Sequence, residues 1–170
     1  MKNCFPPPAS THLDTGCLFL DREGLWFHEG VQITHERTCA LFSRSLYRDR
    51  DGDYYLLVGT ERARVEIEDT PYLIRSVTVL EDEAGRPQEY LLHVNDGTEE
   101  SLDPHTLRVG DNHALYCLLK NANARGRFLR PAYYQICSRI DFDEEQRCFW
   151  LPLNSGRFRI PHPGDDSGEG

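Results

Sequence analysis

The sequence predicts an α+β protein built from two related units of antiparallel strands, each carrying one short helix. Three observations predict it. Apolar residues twice change from spacings of three and four to strict alternation, first after Leu46 and again after Ile140. Each change is followed by a strand on which arginine holds alternate positions, Arg62 and Arg64 in the first case and Arg157 and Arg159 in the second. The order helix, acidic turn, strand, tight turn, arginine-alternating strand therefore occurs twice at a nearly constant offset, which is the signature of a duplicated unit.

In chain order, residues 1–17 read as an extended or mobile arm, because the consecutive prolines Pro6, Pro7 and Pro8 neither donate to a sheet nor continue a helix. Residues 18–70 form the first unit. Two short strands flank Asp21-Arg22-Glu23-Gly24, where Asp first and Gly fourth suit a type I turn, and a further short strand follows Gly30. Thr34 is the expected N-cap of a helix whose buried face carries Cys39, Phe42 and Leu46. Tyr54, Leu56 and Val58 then share one face of a strand, Gly59-Thr60 turns the chain, and Ala63, Val65 and Ile67 alternate with Arg62, Arg64 and Glu66. Trp26, Phe42 and Tyr55 fall on the buried phase of their elements and are expected in the core. Glu68-Asp69-Thr70-Pro71 breaks the last strand and ends the unit.

Residues 71–160 form the second unit. Tyr72–Leu80 and Glu89–Val94 are strands around a charged turn, and Asn95-Asp96-Gly97 signals a hairpin into Thr98–Leu102. Leu107–Val109 and Ala114–Leu119 extend the sheet, and Asn121–Gly126 reads as a loop from its Asn and Gly content. Arg130-Pro131 opens the second helix, since proline is tolerated in a first turn, and Tyr133, Ile136, Cys137 and Ile140 mark its apolar face. Helices are thus expected mainly over 35–47 and 131–140. Cys148–Leu153 and Arg157–Ile160 make a last hairpin around Asn154-Ser155-Gly156, and residues 161–170 are expected to be a disordered polar tail.

Composition narrows the function classes. Nineteen Lys and Arg against 28 Asp and Glu give a net charge of −9, which argues against a general nucleic-acid or anionic-membrane binder. No apolar run approaches the roughly 20 residues of a membrane span, and the N-terminus lacks a signal-peptide core, so a cytoplasmic location is expected. None of the six cysteines sits in a C-x-x-C pair or at zinc-finger spacing from a histidine, which favours thiols over a metal site. Asp49-Arg50-Asp51-Gly52-Asp53 superficially resembles a calcium loop, yet its Gly comes fourth rather than sixth and Thr60 stands where the bidentate Glu belongs, so a helix-to-strand turn is the better reading. No nucleophile elbow, phosphate-binding loop or H-E-x-x-H motif is present, and no cofactor is implied.

The ordered set Asp21-x-x-Gly24-x-Trp26, Gly30, Leu41-Phe42, Asp51-Gly52-x-Tyr54-Tyr55-Leu56, Glu68-Asp69-x-Pro71 and Arg130-Pro131-x-Tyr133-Tyr134 resembles small bacterial proteins of the domain-of-unknown-function family numbered twelve eighty-five. The resemblance covers nearly all of residues 18–160. It implies an α+β fold made by duplication, a second half similar to a pleckstrin-homology-like barrel, and an inter-domain groove suited to a nucleotide-like ligand in signalling. The chain departs from the pattern after the central strand, where Val58 is followed by Gly59-Thr60-Glu61 in place of a Thr-Pro segment.

One stretch opposes the acidic trend. Residues 112–140 hold Lys120, Arg125, Arg127, Arg130 and Arg139 with no Asp or Glu, and guanidinium groups offer forked donors to phosphate or carboxylate. The candidate site lies in the groove between units: Arg127 and Arg130 as anion donors, Arg125 as an outer donor, Tyr133 as a stacking surface and Arg64 reaching from the first unit. The competing reading pairs these cations with carboxylates such as Asp69 as exposed ion pairs worth about 0–1 kcal/mol each. The function expected is a non-enzymatic ligand-binding or signalling module for a small anionic or nucleotide-like ligand, the alternatives being a protein-interaction domain and a small hydrolase or other enzyme.

Overall fold

A computed structural model describes residues 17–163. The expected arm over 1–17 and tail over 161–170 lie, except for Cys17 and Pro161–Pro163, outside the described residues. The chain divides between Pro71 and Tyr72 into two compact units.

The fold is α+β, and its building block is a three-stranded antiparallel meander used five times. The first unit contains β1 (Leu18–Leu20), β2 (Trp26–His28) and β3 (Val31–Gln32), then α1 (Glu36–Ser45), then β4 (Leu46–Arg48), β5 (Tyr54–Val58) and β6 (Glu61–Ile67). The second contains β7 (Tyr72–Glu81), β8 (Pro87–Val94) and β9 (Glu99–Ser101), a 3-10 turn at Pro104–Thr106, then β10 (Arg108–Val109), β11 (Leu115–Leu119) and β12 (Ala124–Phe128). It continues with α2 (Arg130–Cys137) and the meander β13 (Asp141–Asp143), β14 (Cys148–Leu153) and β15 (Gly156–Ile160).

The two six-stranded sheets have one topology. Their orders, β3-β2-β1-β6-β5-β4 and β10-β11-β12-β7-β8-β9, become identical when strands are counted from the start of each unit. In both, the unit's first and sixth strands pair in parallel, Leu18 beside Val65 and Tyr72 beside Gly126, while neighbours within each meander are antiparallel. The expectation of wholly antiparallel strands is corrected at this one pair per sheet, which joins strands at opposite ends of a unit and leaves no trace in local periodicity. The duplication is present, with one change of correspondence: the place of α1 is taken in the second unit by the 3-10 turn, whereas α2 leads into an extra meander.

Both helices lie within the expected regions but are shorter, α1 stopping at Ser45 so that Leu46 opens β4, and α2 stopping at Cys137 short of Ile140. At α1 the cap is His35, whose Nδ1 accepts from the Thr38 backbone at 3.3 Å, in place of Thr34. Trp26, Leu20, Leu56 and Val65 form the first core, with the Trp26 ring edge-on to Phe42 at 5.4 Å. Tyr55, expected in the core, lies on the opposite face of β5, stacked on Tyr47 at 5.9 Å; a period of two cannot bury Tyr54, Leu56 and Tyr55 together. In the second unit Ile74, Leu92, Leu115, Phe128, Ile136 and Leu151 form one larger core. Sheet β13-β14-β15 is tied to the six-stranded sheet by Tyr90 donating its hydroxyl to the Pro152 carbonyl (3.0 Å) and by Val109 N–H donating to the Pro161 carbonyl (3.0 Å).

The stretch Asn121–Gly126, expected to be a loop, is the end of a four-residue turn over 120–123 followed by strand β12. Asn and Gly there belong to the turn and to a packing constraint. A Cβ on Gly126 would sit 2.6 Å from Leu119 Cδ1, so only glycine fits at the centre of β12.

Candidate functional site

Reading β12 as a strand exposes a third Arg-x-Arg. In each meander that follows a helical segment, the last strand carries this pair, and the middle strand carries an aromatic residue in register with its second arginine: Tyr55 beside Arg64, Tyr116 beside Arg127, Trp150 beside Arg159. The first arginine of each pair lies over the same ring, Arg62 at 3.6 Å from the Tyr55 centroid, Arg125 at 3.8 Å from Tyr116 and Arg157 at 4.9 Å from Trp150. Alternation explains why: positions i and i+2 share a strand face, and a cross-strand aromatic lies within reach of both.

The copies differ in charge balance. In the first, Arg62 pairs with Asp49 (3.2 Å) and Arg64 with Asp53 (3.0 Å), acids at the two ends of the β4–β5 turn. That turn is closed by Asp49 N to Asp53 O and Gly52 N to Asp49 O, and the β10–β11 turn is closed in the same way, Gly110 N to Ala114 O and His113 N to Gly110 O. Gly110 and Ala114 thus stand where the first copy has its two aspartates. Among the described residues no carboxylate pairs with Arg125.

Gly110 also makes room for the aromatic platform. A Cβ there would lie 2.5 Å from Tyr116 Cε2, and the Tyr116 hydroxyl is held by the Asn112 side-chain amide at 3.2 Å. Tyr116 is buried at 3 % exposure, with Arg108 beside it on β10 and Arg127 beside it on β12. Three arginines therefore surround one locked tyrosine on the face of the sheet turned away from the second core.

The predicted residues are distributed as follows. Arg125 and half-buried Arg127 share this outer face of β12, whereas Ala124, Gly126 and Phe128 point inward. Arg130 is the exposed first residue of α2, whose Ala132 and Ile136 pack on the core side. Tyr133 is half-buried on α2 against that core, its phenol pushed up by Cys137 beside it and then by burial. Arg64 belongs to the first unit and is held by Asp53. Within the basic stretch Lys120 pairs with Asp96 and Glu100, and Arg139 pairs with Glu81. Tyr116, Arg108, Gly110 and Asn112 were not singled out from sequence, and the signal that finds them is the register of β10, β11 and β12.

Asp49-Arg50-Asp51-Gly52-Asp53 is a strand-to-strand turn, since β4 intervenes after α1; Asp49 Oδ1 accepts from the backbone of Asp51 and Asp53 at 3.0 Å each. Among the described residues no group of three His, Cys, Asp or Glu side chains could hold a metal ion. Among the described residues Cys39, Cys117, Cys137 and Cys148 are reduced thiols; burial, then the Glu100 charge, pushes Cys117 up to about 12, which removes it from thiolate chemistry. Among the described residues no helix is long and apolar enough to cross a membrane.

Residues 6–70 match the family model described as "Domain of unknown function (DUF1285), N-terminal domain". The fold is shared with a DUF1285 family protein from Silicibacter pomeroyi DSS-3, at TM-score 0.67 and 20 % identity over 94 % of this chain and 89 % of the other. It is also shared with a DUF1285 family protein from Shewanella baltica OS155, at TM-score 0.56 and 21 % identity over 74 % and 94 %. None of the curated proteins matches. The first unit thus matches the N-terminal domain model of the DUF1285 family, and the fold of the chain is that of two DUF1285 family proteins.

Proposed function

We propose that this protein is a non-enzymatic ligand-binding module of the signalling kind, taking a small anion of the phosphate or nucleotide class on the β10–β11–β12 face. Arg125 and Arg127 are the donors and the locked Tyr116 ring is the platform that orients Arg125. The observation that carries the reading is the comparison between copies: Asp49 pairs with Arg62 in the first unit, whereas Gly110 stands at the corresponding place beside Arg125 in the second. A guanidinium oriented by an aromatic face and left without a carboxylate is suited to an incoming phosphate oxygen. The join between the second unit's sheet, α2 and the small sheet supports treating this unit as pleckstrin-homology-like. Exposed Arg130 at the start of α2 is the expected secondary donor.

A thermal-shift screen with inorganic phosphate, pyrophosphate and nucleotides tests this reading. A ligand at a hundredfold excess over its Kd stabilises by about 2.7 kcal/mol, which is several degrees in Tm at this chain length. The gain is expected in the wild type and lost in a folded Arg125→Ala/Arg127→Ala variant; an equal gain in that variant would remove the site.

A protein-interaction role has its own support in Phe142 and Phe149, 52 % and 38 % exposed with ring centroids 4.9 Å apart on β13 and β14. Loss of self-association or partner capture in Phe142→Ser would favour it.

A further inference from the structure

Three strands of the second unit bring together a hydroxyl, an imidazole and a carboxylate in hydrogen-bonded series. Thr78 on β7 places Oγ1 2.8 Å from His93 Nε2 on β8, and His93 Nδ1 lies 3.0 Å from Glu99 Oε1 on β9. The register produces this arrangement. His93 sits directly opposite Glu99 and diagonally across from Thr78, whose own partner is Leu91, so all three share the outer face of the sheet. An ionised Glu99 accepts the Nδ1 proton, which leaves the Nε2 lone pair to accept the Thr78 hydroxyl proton. A hydroxyl bonded to a base that is itself oriented by a third group has the layout of an activated nucleophile.

We propose that Thr78 is a reactive hydroxyl that takes an acyl group from small activated acyl donors, aryl esters or thioesters, with His93 as general base and Glu99 as its positioning residue. Thr78 Oγ1 forms the new bond to the acyl carbon as its proton passes to His93 Nε2. The bond from the acyl carbon to the aryl oxygen or thioester sulfur breaks, and the leaving group takes that proton from Nε2. The product is an ester on Thr78 and a free phenol or thiol, with no change of oxidation state. The open face sets the donor class. Thr78 is exposed, so the leaving group must be good, and half-buried Leu91 opposite Thr78 with Leu80, 42 % exposed, two residues along offers apolar surface for a short acyl chain.

The test is to treat the full chain with p-nitrophenyl acetate, follow nitrophenolate release, and map the acetyl group by peptide mass spectrometry. The proposal expects one acetyl per chain, on Thr78, and none there in Thr78→Val, a β-branched replacement suited to a strand. His93→Gln should slow acylation by about a hundredfold or more, the usual worth of a general base. Glu99→Gln should slow it with the label still on Thr78, and Glu99→Asp should restore part of the rate, which a merely structural Glu99 would not do. Melting curves of each variant establish that it is folded. Acetyl found on lysines or on His93 itself, persisting in Thr78→Val, or a folded His93→Gln that reacts at the wild-type rate, would overturn the assignment.

Discussion

Lys120 Nζ lies 2.8 Å from Asp96 Oδ2, and the same ammonium meets Glu100 Oε1 at 2.7 Å and Thr98 Oγ1 at 2.6 Å. This cluster anchors the turn that launches β12. Lys120, Asn121 and Ala122 have φ of 55°, 56° and 63°, a run of left-handed backbone without a glycine, and the Lys120 N–H is fixed in turn by Glu100 at 2.8 Å. Burial would raise the Asp96 carboxyl, but the hydrogen bonds from Lys120 and Thr98 outweigh it and hold the group below the usual carboxylate range. Burial lowers and the two carboxylates raise Lys120, with a net rise.

The first prediction is the pH dependence of stability. A depressed Asp96 contributes stability that is present above its unfolded pKa of about 3.9 and is lost as pH falls through the folded value. A raised Lys120 contributes stability that is present below about 10.4 and is lost as pH rises through its folded value. Denaturant titrations across pH should show Asp96→Asn with a flatter acid limb and Lys120→Met with a flatter alkaline limb. At neutral pH Lys120→Met should cost about 2–3 kcal/mol, less than for a fully buried pair because the lysine side chain is 27 % exposed.

The second prediction concerns the turn. Ala122 at φ 63° is strained, and glycine adopts that conformation freely. Ala122→Gly should be neutral to stabilising by up to about 1 kcal/mol, although the same change in a strand or helix destabilises. Chemical denaturation compared with Ala124→Gly, two residues later at the start of β12, provides the contrast.

The third prediction links packing to the proposed site. Gly110→Ala puts a methyl 2.5 Å from the Tyr116 ring and should cost about 1–3 kcal/mol as the ring moves. Because Arg125 rests on that ring, the variant should also bind anions more weakly while remaining folded, a combination that isothermal titration with pyrophosphate can measure.

Local elements were legible in the sequence because their determinants are local. The Asp21–Gly24 turn, both helices and the Arg62–Arg64 alternation each depend on spacings of two to four residues. The parallel pairs Leu18–Val65 and Tyr72–Gly126 depend on strands at opposite ends of a unit, and no window of sequence contains both. β12 was hidden by composition, since Asn121, Asn123 and Gly126 favour loops although Gly126 is there for Leu119. The charge clustering of residues 112–140 was visible, but its partners were not: Lys120 is neutralised by acids on the β8–β9 hairpin, whereas Arg125 stacks on Tyr116. The Thr78–His93–Glu99 series was invisible for the same reason, being a property of cross-strand register.

The central claim is that Arg125, with no carboxylate beside it among the described residues, receives an anion that Arg62, paired with Asp49, does not. Arginine side-chain Nε–H resonances followed by NMR during a pyrophosphate titration test it most directly. The account predicts saturable shifts at Arg125 and Arg127 with little change at Arg62 and Arg64. Equal shifts at both pairs, or none at Arg125, would contradict it.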